Sequence, residues 1–415
     1  MKNYKVLEVD EKLKRRNLWG LNFIALISGF GDGSFVIVYQ PYLLAITGSI
    51  FLTGVLITVG IIVQFLPMPL VGKLSDRYGR KKVWLFSMPL HILGLFLLII
   101  SDNLLLAVAS VLIFFSGAVI GGLSYQLFVS ESSHETKKGL MYGFMFFAFF
   151  GGGIFGKYFV MLGLVPDVRV YFLIYILIMF IEWIIQIFII TNPNSVKLIL
   201  EINSTKSYKS KQSTWKKIFK TPQTKVILVF FTIDIFIYNI PASIYIAGLR
   251  DQYQLTYEEI AFISIWFSIS NMIFQIPGGH LADKIGKKKS IIISEVFGLG
   301  CYLFNIIAFI FWLDGLVSFQ FLSLIIAQVL IGISASTFIP SEQIILTNLN
   351  EDESRKAESY GIIAFIRGIA LLPTGILGGF FVEFINYIIP FLITVIGSLF
   401  LIWFLLKYFN EQHRN

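Results

Sequence analysis

The stretch ISGFGDGSFVIV, residues 27–38, sets Asp32 between two glycines inside an apolar run. Three more ionisable residues interrupt apolar runs: Lys157 in GGGIFGKYFV, Asp234 in FFTIDIFIYNIPASIY and Arg367 in IIAFIRGIALLP. A carboxylate in a poorly hydrated cavity can hold a proton near neutral pH, which suits proton coupling or contact with a polar ligand. A cation in such a place can act as its countercharge or anchor an anionic ligand. The structural alternative for each is a charge satisfied by hydroxyls or by an opposite charge, and it stays open here. The four histidines, at 91, 134, 280 and 413, are scattered without metal-ligand spacing. No metal site, catalytic constellation or cofactor is therefore expected, and the chain does not read as an enzyme.

The elements that hold these residues are long. Of 415 residues, 56% are hydrophobic and 14% charged, and the mean hydropathy is +0.78, values outside the soluble globular range. Apolar runs long enough for a bilayer fall at 18–46, 51–71, 83–100, 104–130, 140–163, 170–190, 224–249, 258–278, 290–312, 317–341, 357–382 and 384–406. The expected fold class is an all-α membrane protein of twelve transmembrane helices, because lipid requires each backbone polar group to be satisfied internally. Asp32 lies fourteen residues beyond Leu18, about 21 Å along a helix and so near the bilayer midplane. Asp234 lies ten residues beyond Thr224.

The net charge of +8 would suggest nucleic acid only if the basic residues were mixed evenly through the connections. With the N-terminus inside, 29 of the 33 Lys and Arg fall on inside segments, and only Arg169 and Arg250 lie on outside ones. That is the positive-inside pattern, so the charge sets orientation and no nucleic-acid partner is expected. A cell-membrane protein with both termini cytoplasmic follows as the expectation. The single cysteine, Cys301, excludes a disulfide within the chain. The charged N-terminus precedes an apolar run too long for a cleavable signal core, so helix 1 is expected to stay.

The halves repeat. Residues 191–222 form a long polar, basic interval that divides the runs into residues 1–190 and 223–415, six runs each. GKLSDRYGRKK after run 2 matches GHLADKIGKKK after run 8, with Asp76 and Asp283 separated by 207 positions. FLTGVLI (51–57) matches QLTYEEI (254–260) at an offset of 203, which carries Asp234 onto Gly31, beside Asp32. Runs 4 and 10 both end near Ser-Glu, and both following runs open on Tyr-Gly. Such repeats suit a carrier whose two bundles rock about a midplane site.

The loop reading Gly72-Lys-Leu-Ser-Asp76-Arg77-Tyr-Gly79-Arg80-Lys81 resembles the signature loop between helices 2 and 3 of the major facilitator superfamily. A degenerate copy, Gly279 to Lys288 with Asp283, Lys284 and Gly286 at the matching places, occupies the corresponding loop of the second half. The resemblance covers nearly the whole chain. Gly72 permits a close helix approach and Gly79 a tight turn, while Asp76 can complement the positive end of a neighbouring helix. The resemblance implies that this neighbour is helix 11, beginning near Ser359 and Tyr360. It further implies that Arg77 and Arg80 pair with Glu131 at the end of helix 4, latching the cytoplasmic side in an outward-open state.

The resemblance also implies a central cavity lined by helices 1, 4, 7 and 10. Tyr39, Gln40, Tyr125, Gln126, Tyr238, Asn239, Tyr245 and Gln328 lie on those helices and are candidates for lining it. The glycines at 29, 31 and 33 would let helix 1 bend or let a neighbour approach. Lys157 is expected to snorkel towards the outer interface and Glu295 towards the cytoplasmic one; His91 reads as a satisfied packing residue. Glu182, with Gln186 one turn on, has no account from the sequence.

The function expected is a secondary transporter moving a small molecule by alternating access: two pseudo-symmetric halves with latch loops favour a carrier over a channel. Proton-coupled efflux of a drug-like compound or metabolite is favoured over symport of a sugar or organic anion, and a non-transporting sensor is the alternative of another class. Drug antiporters of the superfamily often carry an arginine in helix 4 and a glycine-proline motif in helix 5. Here VLIFFSGAVIGGLSYQ has no basic residue and FMFFAFFGGGIFGKYF no proline. Protons, the lipid bilayer and a monomeric state complete the expected partners.

Overall fold

The computed structural model describes residues 2–133, 138–192, 222–348 and 356–409. Most of the polar interval between the halves, residues 193–221, lies outside the described residues. Twelve helices among them are long and apolar enough to cross a membrane. Spans 1–6 are Glu11–Thr47, Ile50–Tyr78, Arg80–Ile99, Leu104–Val129, Met141–Met161 and Arg169–Phe188; spans 7–12 are Thr224–Gln252, Tyr257–Leu281, Lys287–Leu313, Val317–Glu342, Gly361–Phe384 and Ile389–Tyr408. Each coincides with one of the apolar runs. The end of the molecule holding the two basic loops, 79–82 and 286–289, is here the basic face.

Spans 1–6 and 7–12 form two bundles, which meet where span 5 packs on span 8 and span 2 on span 11. Span 1 belongs to an unbroken helix, Lys2–Thr47, so its glycines do not interrupt it. They admit neighbours instead. A Cβ at Gly29 would collide with the Phe149 carbonyl, one at Gly33 with Gly153 and one at Gly31 with the Tyr175 ring. From span 5, Gly152 and Gly156 press on the Leu26 and Phe30 carbonyls in return. Two glycine pairs spaced four apart therefore bring backbones together where lipid supplies no hydrophobic drive between helices.

Three spans are broken. Span 2 is interrupted at Leu66 and Pro67, span 7 at Ser243 and Ile244, and span 11 at Leu372 and Pro373. Proline lacks the backbone N–H and clashes with the preceding turn, which accounts for the first and third; Pro241 closes the helix before the second. Spans 2 and 11 touch on both sides of their breaks, Gly54 against Gly375 on one and Gly361 against Met68 on the other.

The packing predicts that Gly152→Val, which drives a side chain into the Leu26 carbonyl, destabilises the protein by at least the ~1–3 kcal/mol typical of overpacking. Gly122→Ala, with open space at its Cβ, should change stability by less than about 0.5 kcal/mol. Unfolding of the two variants in detergent, followed by tryptophan fluorescence, checks the difference.

Candidate functional site

A cavity of about 320 Å³ lies between the bundles, at the lower end of the size range for small-molecule sites. Its wall mixes rings and aliphatic groups from Val36, Phe149, Phe150, Phe267 and Ile331 with the polar ends of Asp32, Lys157, Gln40, Asn305 and Gln328. Spans 1, 5, 7, 8, 9 and 10 contribute. Span 4 does not line this cavity, which corrects the expected set of helices 1, 4, 7 and 10. The glycine contacts draw span 5 across the front of span 1, and span 4 is held behind, where a Cβ at Gly94 of span 3 would run into Phe114.

Of the residues expected at the site, Asp32, Lys157, Gln40, Tyr245 and Gln328 line the cavity. Asp32 is half-buried, and among the described residues no ion pair joins it to Lys157. Lys157 is buried and does not snorkel outward as expected. Its ammonium donates to the Ser264 carbonyl and to Ser268 Oγ of span 8, both at 2.9 Å, and lies 5.2 Å from the Phe267 ring centroid. Short reach explains this: Gly153 and Gly156 leave the stem no bulk to climb past, and acceptors of the other bundle are within one side-chain length.

The other acid and cation lie elsewhere. Asp234 is buried in the second bundle rather than lining the cavity. Arg367 of span 11 pairs with Glu342 of span 10 at 2.5 Å and stacks over Phe231. Glu295, expected at the interface, is 1% exposed and accepts a hydrogen bond from Tyr238 Oη at 2.8 Å. The reason is Gly298, one turn on, where a side chain would collide with that Tyr238 hydroxyl. Glu342 was not singled out from the sequence, although the repeat matches its Ser-Glu pair with that of Glu131.

The remaining cavity candidates serve packing or other contacts. Tyr39 stacks on Phe35 at 4.7 Å within the first bundle, and Tyr125 Oη donates to the Leu21 carbonyl. Gln126 is exposed, and its carbonyl accepts from Tyr142. Asn239 Nδ2 donates to Thr374 Oγ1 at 2.7 Å, tying span 7 to span 11. His91 lies beside Phe114, but its Nδ1 has no hydrogen-bond partner, so it is not the satisfied residue expected.

On the face opposite the basic loops, the bundles are bridged by polar contacts. Gln40 Oε1 accepts from the Ile246 and Ala247 amides at 3.0 and 3.2 Å. These amides open the short helix beyond the break in span 7, where unpaired N–H groups need acceptors. Glu383 Oε2 accepts from Ser49 Oγ at 2.6 Å and the Phe51 amide at 2.8 Å, capping span 2 from span 11. Thr58 Oγ1 accepts from the Ile376 amide. Glu383 escaped the sequence reading, since an acid near a helix end carries no distinctive pattern.

The two basic loops share a backbone. Gly79 and Gly286 have φ of +91° and +92°, values that disfavour any other residue. Lys81 Nζ donates to the Ile187 carbonyl at the end of span 6, and Lys288 Nζ to the Leu406 carbonyl at the end of span 12. A cation on the last carbonyls of a helix is electrostatically favourable, and both halves use it. Asp76 and Arg80 are buried 3.7 Å apart, and Arg80 forms an ion pair with Glu131. Arg77 does not share that pair as expected: it is exposed and lies over the Tyr78 ring. Arg77 lies in the last turn of the helix that ends at Tyr78 and Arg80 opens the next, so of the two only Arg80 is buried in the bundle. Gly72 is buried, whereas Gly279 meets nothing within 4 Å and Lys284 is exposed. The side chains of Asp283, Ser359 and Tyr360 lie outside the described residues, and with them the expected contact of Asp76 to the start of helix 11.

The family model described as Major Facilitator Superfamily matches residues 21–246 and again 226–415. Among curated proteins, the class H tetracycline resistance protein of Pasteurella multocida is 27% identical over 267 residues, 60% of this chain and 62% of that one. The quinolone resistance protein NorA of Staphylococcus aureus is 30% identical over 167 residues, 40% of this chain and 38% of its own. The match thus spans about three fifths of the tetracycline relative. Among solved structures, the human organic anion transporter MFSD10 (TETRAN) superposes with a TM-score of 0.71 at 14% identity, covering 94% of this chain and 99% of its own. The nucleoside transporter NupG gives 0.70 at 15%, covering 95% and 100%. At such identities the likeness concerns the fold alone.

Because Asp76 remains 3.7 Å from Arg80 when Glu131 is neutralised, Glu131→Gln should cost about 1–3 kcal/mol, the penalty for leaving a buried donor short of an acceptor rather than that of a stranded charge. Arg77→Ala should cost less than about 0.5 kcal/mol. Thermal unfolding of both variants decides; equal losses would mean that the loop arginines act together.

Proposed function

Since the chain belongs to the major facilitator superfamily and is a multi-pass membrane transporter of small molecules, we propose that it is a secondary carrier exporting an amphipathic, drug-like compound or metabolite in exchange for protons. The observation that carries this reading is Asp32: a half-buried carboxyl at the wall of a largely apolar cavity between two bundles, without an ion pair among the described residues. A carboxylate in that setting is costly to keep ionised without a direct ion pair, so the group is suited to exchanging a proton when the cavity opens to water. Curated relatives whose names denote tetracycline and quinolone resistance support export. We place the basic face, and with it both termini, on the cytoplasmic side of the cell membrane, and we take the carrier to act as a monomer with residues 191–222 as a tether between its halves.

Lys157 favours a second reading, proton-driven uptake of an organic anion. Its ammonium faces the same cavity, and release from Ser264 and Ser268 would free it for a carboxylate or phosphate ligand.

The test uses purified protein in liposomes, with radiolabelled tetracycline as the first probe and a panel of organic anions as the second. Asp32→Asn should abolish accumulation driven by a pH gradient and keep part of the gradient-independent exchange. Unchanged pH-driven accumulation would remove Asp32 from coupling, and saturable anion uptake lost in Lys157→Met would establish the second reading.

A further inference from the structure

Asp32 borders two cavities. Besides the one between the bundles, it lines a second of about 220 Å³ inside the first bundle, together with Ser28, His91, Tyr125, Tyr175 and Glu182. Glu182 is 5% exposed and is the acid the sequence left without an account. Its Oε1 accepts from Ser28 Oγ at 2.6 Å, and Ser28 lies one helical turn before Asp32 on the same span. The order Asp32, Ser28, Glu182 therefore runs from the central cavity towards the basic face.

Beyond Glu182 the polar column continues. Gln186, one turn further along span 6, is fully buried with neither amide atom hydrogen-bonded to protein. Buried amides of this kind are otherwise paired with protein or water, and the neighbouring cavity has room for several waters. Past Gln186, span 1 and the end of span 6 are tied by Asn17, whose side chain donates to the Thr191 carbonyl at 2.7 Å and accepts from its amide at 3.0 Å. Polar groups thus extend from midplane to the end of the bundle without passing through the space where a ligand fits.

We propose that Glu182 is a second proton site, exchanging with Asp32 through Ser28, and that the inner cavity carries protons to the basic face by a route separate from the ligand's. In each transfer the Asp32 carboxyl gives its proton to Ser28 Oγ, directly or through a water in the cavity. Ser28 passes its own hydroxyl proton to Glu182 Oε1, so one proton moves, Asp32 is left as carboxylate and Glu182 becomes neutral. The titratable or charged groups facing this pair are Lys157 from span 5, His91 from span 3, Tyr125 from span 4 and Tyr175 from span 6 itself. Only Lys157 among them is a cation, and it lines the central cavity together with Asp32.

The proposal rests on the coupling role of Asp32 and is tested without transport. Infrared difference spectra between acid and alkaline pH are recorded on the full chain in phospholipid nanodiscs, for the wild type and for Glu182→Gln, Asp32→Asn and Ser28→Ala. Glu182→Gln should delete one titrating carboxyl band and displace the midpoint of the band deleted by Asp32→Asn. Ser28→Ala should keep both bands, shift the Glu182 band because its bonded hydroxyl is gone, and slow proton exchange after a pH jump about tenfold. A Glu182→Gln spectrum superposable on the wild type overturns the proposal. If that variant does not fold, an unshifted carboxyl band and unchanged exchange rate in Ser28→Ala overturn it instead. An Asp32→Asn spectrum that lacks no band defeats the coupling role of Asp32 itself, while the band lost in Glu182→Gln still reports on Glu182.

Discussion

The free-energy cost of an ionised group in hydrocarbon organises this molecule. It keeps 29 of the 33 lysines and arginines on one set of connections and leaves the few charges within spans to find partners inside a bundle. Arg80 has Asp76 and Glu131, and Arg367 has Glu342. Lys157 finds a carbonyl and a hydroxyl of the other bundle. Asp32 is the acid of this group that lines the central cavity, with no ion pair among the described residues, and it is the one on which the functional reading depends.

The two halves share a plan and differ in what they do with it. Each has an acid on its first span and a cation on its fifth: Asp32 and Lys157, then Asp234 and Arg367. In the second half an additional acid, Glu342, engages the arginine within the bundle, and Glu295 lies beside Tyr238. In that half the cation is matched by an acid of its own bundle. In the first half the lysine reaches across to span 8, so its acid remains available to the cavity.

Periodicity and length carried most of the fold into the sequence: twelve runs of about 20 apolar residues have little choice but to span. The loop glycines were equally legible, because a positive φ leaves few alternatives to glycine. What the sequence could not show was which way a helix is turned. Tyr125, Gln126, Tyr238 and Asn239 sit on the expected helices yet face other neighbours, and Phe267, Ser268 and Asn305 reach the cavity from spans 8 and 9, outside the expected set. Rotation is set by contacts between spans distant in sequence, here the glycine pairs of spans 1 and 5, which a single sequence does not reveal. Glu295 and Lys157 failed for the same reason, since a charge near a helix end can turn inward when a glycine makes space.

The distribution of contacts between bundles says how such a carrier would move. On the face away from the basic loops, Gln40 and Glu383 hold the bundles together by accepting from backbone amides at helix beginnings. Those amides can return to water at little cost when the gap opens, because exchanging protein for water as partner changes each hydrogen bond by only about 1 kcal/mol. The contact of spans 5 and 8 is different: Lys157 sits there buried, and separating it from Ser264 and Ser268 without a new partner strands a charge. Opening on that face is therefore cheapest as a rotation that parts span 1 from span 7 and span 2 from span 11 while spans 5 and 8 stay in contact. Lys157 would leave its serines at least cost when a negative group replaces them, and Asp32, which lines the same cavity on its own bundle, is an acid placed to do so.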